Sequence, residues 1–183
     1  LNIPPKALSL NGELGLAFGS RGKGGKRAAA AHYERDTTGQ VTPNRVVINL
    51  TREHGAGSLA DEWFHAVDNY FARMRGEKAG MLTEKPYPNG EGVRPEMVMA
   101  FRDLMKAITS TGVMARSRNL DKKRTKDYWS TGLEMAARSF ESYVIAKLHE
   151  QNAANDYLAN IVPEESYLRE EEYPYPKAAE MPP

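Results

Sequence analysis

The stretch that most constrains this chain begins at Ser58 and reads Ser-Leu-Ala-Asp-Glu-Trp-Phe-His-Ala-Val-Asp-Asn-Tyr-Phe, ending at Phe71. Ala60, Trp63, Phe64, Val67, Tyr70, Phe71 and Met74 recur at i, i+3, i+4, i+7 spacing, which lays an apolar face along an α-helix. Asp61, His65 and Asp68 fall on a neighbouring stripe with the same period. A helix patterned this way is buried along one side and presents polar groups along an edge. Ser58 is placed to cap its start, with Asp61 at the reciprocal capping-box position.

The polar stripe carries an altered metal motif. In His-Glu-x-x-His, two imidazoles one helical turn apart aim at one metal ion, and the Glu beside the first serves as base. The same positions here read Asp61-Glu62-Trp63-Phe64-His65. The Glu and the second His are present, and the first His is an Asp. Zinc hydrolases of this kind take three protein ligands and leave a fourth position for water. The third ligand must come from elsewhere in the chain.

A second helix can supply it. Residues 128–148 carry Leu133, Ala137, Phe140, Val144 and Leu148 on one face, with Thr131 and Glu134 spaced as a capping box. Glu134 lies near the start of this helix, and Glu141, two turns on, is its competitor as a ligand. Tyr128, just ahead of the helix, could donate a hydrogen bond to a developing oxyanion. His54, in the loop before the first helix, is a further candidate for the missing imidazole, though no spacing requires it. His32 and His149 read as structural or exposed.

The rest of the chain reads as an α+β domain. Leu14 to Phe18, Ala28 to Glu34 and the β-branched run from Arg45 to Thr51 predict strands of a small, mostly antiparallel sheet packed on a few long helices. Gly19 to Arg27 is glycine-rich and basic but fails the phosphate-loop pattern, because Gly25 stands where the lysine is needed. A basic turn between strands is the reading. A Gly/Pro loop covers 76–95, a helix about 94–110, and a basic loop 112–127. A short helix is predicted near 155–161. The expected divisions are an extended lead-in at 1–10, a domain at 11–165, and an acidic, Pro-rich tail at 166–183 that need not pack.

Bulk properties narrow the function classes. With 183 residues the chain is long enough for one buried core, and 40% hydrophobic and 27% charged residues suit a globular protein. A net charge of +1 favours neither a nucleic-acid nor a membrane partner. The basic run from Arg116 to Lys126 lacks the interleaved aromatics of a nucleic-acid site, although binding there would be salt-sensitive. No apolar run reaches the ~18 residues of a membrane span. The absence of cysteine excludes disulfides and thiolate metal sites and is compatible with a reducing cytosol. The start, Leu1-Asn2-Ile3-Pro4-Pro5, has neither Met nor a signal-peptide pattern and reads as part of a longer polypeptide.

The run from Leu50 to Tyr70, with its Gly-Ala-Gly-Ser-Leu-Ala-Asp-Glu-Trp-Phe-His core, and the run Tyr128-Trp-Ser-Thr-Gly-Leu-Glu-Met-Ala-Ala-Arg-Ser-Phe-Glu resemble a zincin-type domain. It is the one found in large polyvalent proteins of phages and conjugative elements, large polyvalent protein-associated domain 1. Leu16-Ala-Phe-Gly-Ser-Arg-Gly and Ala31-His-Tyr-Glu fit the same family, so the resemblance spans roughly 10–165. The second helix is also similar to the Glu-bearing helix of lethal-factor-like and Pro-Pro endopeptidase metalloproteases. What the resemblance implies is a gluzincin-like metallopeptidase fold with zinc as cofactor, Asp61, His65 and Glu134 as metal positions, and Glu62 and Tyr128 as catalytic groups. It also implies a protein or peptide substrate and a place in the bacterial cytoplasm. The departure is Asp61. Its side chain is shorter than the expected imidazole, and an oxygen-rich set leans toward Mg, Mn or Ca. Two functions follow: peptide-bond hydrolysis if metal is bound, or a catalytically inactive module that binds a protein through the old cleft.

Overall fold

A computed structural model of the chain describes residues 2–19, 30–35, 46–52, 54–76, 80–84 and 92–181. The basic turn expected at 19–27 lies outside the described residues except for Gly19, and residues 77–79 and 85–91 of the Gly/Pro loop expected over 76–95 lie outside them as well. In chain order the described elements are α1 (Pro5–Leu8), β1 (Leu14–Phe18), β2 (Ala31–Glu34), β3 (Val46–Leu50), α2 (Leu59–Met74), α3 (Pro95–Thr109), α4 (Val113–Asp121) and α5 (Gly132–Glu150). The fold class is α+β, as the alternation of a short β-branched run with long amphipathic stretches predicts.

β3 is the central strand, in the order β1-β3-β2, and all five of its residues are buried. Its composition, Val-Val-Ile-Asn-Leu, suits a strand covered on both faces. The sheet is mixed. β2 runs antiparallel to β3, with His32 opposite Asn49, but β1 runs parallel to it, with Leu16 opposite Ile48. The expected mostly antiparallel sheet therefore holds for one of its two pairs. The parallel pair is possible because β2 and its flanking segments lie between β1 and β3 in sequence, which is long enough for a crossover.

The helices meet over a core of Phe64, Phe101, Ile108, Val113, Met135, Ala136 and Ala137, with Phe71 and Phe140 packed on it. Phe64 stacks obliquely on Phe101 and Phe140 at ring separations of 6.1 and 5.5 Å. Ala60, Ala66, Ala136 and Ala137 are almost wholly buried. Small residues on both α2 and α5 let the two helices approach closely, and this brings their polar residues into reach of one another.

α2 is buried more widely than its apolar stripe predicts. Glu62, His65, Asp68 and Asn69 are as buried as Phe64. Buried polar groups must be partnered. The Asp68 carboxylate accepts from the Thr83 backbone N–H at 2.9 Å and the Thr83 hydroxyl at 2.5 Å. Asn69 donates to the Gly80 carbonyl at 2.8 Å and accepts from the Tyr33 hydroxyl and Arg73 Nε.

The cap expected from Ser58 is not made by its side chain. The first-turn N–H of Ala60 donates instead to the Leu158 carbonyl at 2.8 Å, and the 157–160 loop brackets Gly57 with two further backbone bonds. Gly57 has φ +90°, and a Cβ there would meet Asn160 at 2.7 Å, so the loop can close on the helix start only over a glycine. This loop consists of turns; the short helix expected near 155–161 does not form.

α4 stands where a basic loop was expected. Its inward positions are Val113, Arg116, Ser117 and Asp121, three of them polar, so no apolar stripe announces it. Of the tail expected at 166–183, the described residues 166–181 are laid on the helices with short 3₁₀ turns at Glu170–Glu172 and Ala178–Glu180, and Tyr173 and Pro174 are buried.

Candidate functional site

α2 and α5 bring together the residues singled out in sequence. His65 Nε2 lies 3.5 Å from Asp61 Oδ2, one turn earlier on α2, and 3.6 Å from Glu134 Oε1 on α5. The imidazole thus sits between two carboxylates contributed by different helices. All three side chains are largely buried, with 9%, 20% and 13% of their surfaces exposed for His65, Asp61 and Glu134. Burial would lower the imidazole pKa, but the hydrogen bond and charge of Asp61, with the charges of Glu134 and Glu62, push it up to about 9.

Glu62 points toward the sheet and accepts from the backbone N–H of Tyr33 on β2. Burial pushes its carboxyl up to about 7, against the pull of the His65 charge. Burial also raises Glu134, again against His65. Glu141 takes a different place: it accepts from the Asn160 backbone N–H, and burial and the Asp61 charge push it up to about 8. Of the two α5 carboxylates weighed in sequence, Glu134 is the one beside His65. His54 is exposed in the turn before α2.

Tyr128 hydrogen-bonds to Glu134, and burial followed by the Glu134 charge raises its hydroxyl pKa. Its placement depends on a residue that the sequence reading missed. The Asp121 carboxylate accepts from the backbone N–H groups of Tyr128 and Trp129, each at 3.0 Å, and of Ser130 at 2.8 Å, and from the Ser130 hydroxyl at 2.7 Å. This turn, rather than a Thr131 side-chain cap, starts α5. Arg138 was missed too. It is buried one turn after Glu134, donates to the Trp129 carbonyl, lies over the Trp129 ring and stands 4.0 Å from Glu134. The signal available in the sequence was an arginine one helical turn after the candidate ligand Glu134.

The donor set can be tested against the zinc that the resemblance implies. One imidazole and two carboxylates are the right kinds of ligand. They do not form a ready cage: among the described residues no group of three or more His, Asp or Glu side chains is arranged to hold a metal ion. The site is two pairs sharing one imidazole nitrogen. The other ring nitrogen, Nδ1, is buried without a hydrogen-bond partner, whereas a zinc-bound histidine normally donates from its second nitrogen to an orienting acceptor. The kinds of donor suit zinc, and the unpartnered Nδ1 of His65 counts against it.

An apolar groove of about 750 Å³ runs between β1, α2 and α5, lined by Leu14, Leu16, Trp63, Phe140 and Val144 and by none of Asp61, His65 and Glu134. Among the described residues no helix is long and apolar enough to cross a membrane.

Residues 120–182 match the model of the family large polyvalent protein-associated domain 1. The matched segment holds Asp121, Tyr128, Glu134, Arg138 and the C-terminal turns; α2, with Asp61 and His65, lies outside it. This is a narrower and more C-terminal span than the resemblance expected over 10–165. A family associated with large polyvalent proteins fits a chain that is part of a larger polypeptide. No curated protein and no solved structure matches the chain.

Proposed function

We propose that this is a zincin-like domain of a phage or mobile-element polyvalent protein whose metal position has been replaced by an internal carboxylate–imidazole–carboxylate cluster, leaving a catalytically inactive module that binds a protein or peptide. The observation that carries this reading is His65 Nε2 between Asp61 and Glu134. Asp61 stands where the resemblance calls for a metal-binding imidazole, and it engages His65 directly. With carboxylates 3.5 and 3.6 Å away on its two sides, Nε2 of His65 faces an internal ion-pair cluster that spans α2 and α5. In this reading Glu62 and Tyr128 are remnants of the site that shape the cleft, and the bacterial cytoplasm is the expected location.

Screening one fluorogenic peptide library for both binding and cleavage, with and without added zinc or manganese, separates binding from catalysis. Binding without cleavage is expected. Metal-dependent cleavage by the unaltered chain would remove the proposal.

A second reading, an active metallopeptidase, is favoured by the spacing of the pairs. Donors around a tetrahedral zinc ion stand roughly 3.3–3.5 Å apart, given bonds of about 2.0–2.2 Å, close to the 3.5 and 3.6 Å seen here. Glu62 would then take a proton from the attacking water and Tyr128 would donate to the carbonyl oxygen. In that case Glu62→Gln would abolish the cleavage that the library screen detects.

A further inference from the structure

A net charge of +1 conceals a local basic surface. Arg118, Lys122, Lys123, Arg124 and Lys126 crowd the end of α4 and the loop after it, and all are exposed. Acidic groups of the chain offset little of this charge. Glu172 takes Lys123 at 2.5 Å, while its neighbour Glu170 pairs with Lys177. Among the described residues no carboxylate pairs with Arg118, Lys122, Arg124 or Lys126. Asp127 is the one exposed acid in the loop.

The loop is pinned rather than loose. The Asp121 carboxylate receives the backbone N–H groups of Tyr128, Trp129 and Ser130 at its far end. The Arg124 N–H donates to the Asp121 carbonyl at 2.8 Å, so one residue holds the loop at both ends. This closure supplies the aromatic groups that the basic run lacks as a sequence. The Arg124 guanidinium lies over the Tyr128 ring, 5.0 Å from its centre. Trp129 meets Tyr128 edge-on at 5.3 Å, and the buried Arg138 lies over Trp129 at 5.0 Å. Cations thus flank a pair of rings, from Arg124 at the surface to Arg138 inside. At the outer end Tyr128 keeps 41% of its surface exposed.

Surfaces that take single strands combine cations for the phosphates with rings and guanidinium planes on which unpaired bases stack. An acidic peptide would use the cations and leave the ring without a role. A duplex keeps its bases stacked inside and offers none to the ring. We propose that the 122–129 loop and the adjoining end of α4 bind single-stranded nucleic acid, with Arg118, Lys122, Arg124 and Lys126 meeting phosphates and Tyr128 stacking on an unpaired base. A loop already fixed in place loses little further freedom on binding. This goes beyond the peptide-binding reading and does not rest on it: it uses the Tyr128 ring, whereas the candidate site uses the Tyr128 hydroxyl.

Fluorescence anisotropy of labelled polythymidine and polyuridine strands with the full chain tests it, against a mixed-sequence duplex and polyglutamate. One or both single strands are expected to bind at low salt, several-fold more tightly than the duplex or polyglutamate. Log affinity should fall with log salt at about 0.7 per phosphate contact, so Arg124→Gln combined with Lys126→Gln should flatten the slope by about 1.4. Tyr128→Leu should weaken binding roughly 5- to 150-fold, the loss of one stacked base, while Tyr128→Phe, which keeps the ring, should bind as the unaltered chain does. Absence of binding at low salt would overturn the proposal. So would a duplex or polyglutamate bound as tightly as the single strands, an unchanged salt slope, unchanged affinity in Tyr128→Leu, or a loss in Tyr128→Phe equal to that in Tyr128→Leu. If Tyr128→Leu loses its fold, the comparison of single strand with duplex on the unaltered chain and the slope of the double charge variant, whose residues are exposed, decide the outcome.

Discussion

His65 and Glu134, 69 positions apart in sequence, face each other at 3.6 Å across the α2–α5 interface. With Asp61 on the other side, this pair ties the two helices together through buried charge. Removing one member of a buried pair leaves its partner without compensation, at a cost of about 3–5 kcal/mol. His65→Ala should therefore destabilise the fold by an amount near that range, measured as a shift in urea unfolding midpoint at unchanged slope. A loss under 1 kcal/mol would mean that the cluster does not hold the helices.

The apolar side of the same interface should matter as much. Phe64 is buried against Phe101, Phe140 and the paired alanines of α5. Phe64→Ala is expected to cost about 3–5 kcal/mol, from lost burial plus the cavity left behind. Thermal unfolding of this variant, followed by circular dichroism, provides the check.

Asp121 should control the approach to α5. Its carboxylate is the acceptor for three backbone N–H groups and one hydroxyl in the 128–130 turn. Asp121→Ala leaves those donors without their acceptor, a loss of about 1–3 kcal/mol for the buried share. Faster amide exchange at residues 128–130, with the centre of α5 unaffected, is the specific signature.

The Arg116–Glu180 ion pair, 2.6 Å long, should make the C-terminal turns acid-sensitive. The hydrogen bond from Arg116 holds the Glu180 carboxyl down to about 2, from an ordinary value of 4.5. Because the folded value is depressed, the contribution is complete above about 4.5 and is lost as pH falls from there toward 2. Deuterium uptake over 173–181 is expected to climb through that window, after correction for the intrinsic pH dependence of exchange. Glu180→Gln should remove the step.

Much of the framework was legible in the sequence. The β-branched run gave β3, the apolar periodicities gave α2, α3 and α5, and the Asp61-Glu-x-x-His65 spacing pointed to Glu134 as a partner on a second helix. What escaped was buried polarity. α4 turns Arg116, Ser117 and Asp121 inward, so periodicity of apolar residues could not find it. His65 and Asp68, read with Asp61 as a polar edge of α2, are buried, Asp68 beneath the Thr83 region. The C-terminal turns looked like a tail because their anchor, Arg116, lies 64 positions before Glu180. Helix starts were misread for a related reason: backbone from 157–160 and the Asp121 carboxylate satisfy donors that Ser58 and Thr131 were expected to satisfy.

In the proposed reading, Asp61 has turned a metal position into an internal pair with His65. Zinc binding, followed by native mass spectrometry and isothermal titration calorimetry on the unaltered chain and on Asp61→His, tests it most directly. The unaltered chain is expected to retain no zinc, and Asp61→His to bind it stoichiometrically because a second imidazole then faces His65 and Glu134. Stoichiometric, tight zinc binding by the unaltered chain, lost in His65→Ala, would contradict the account.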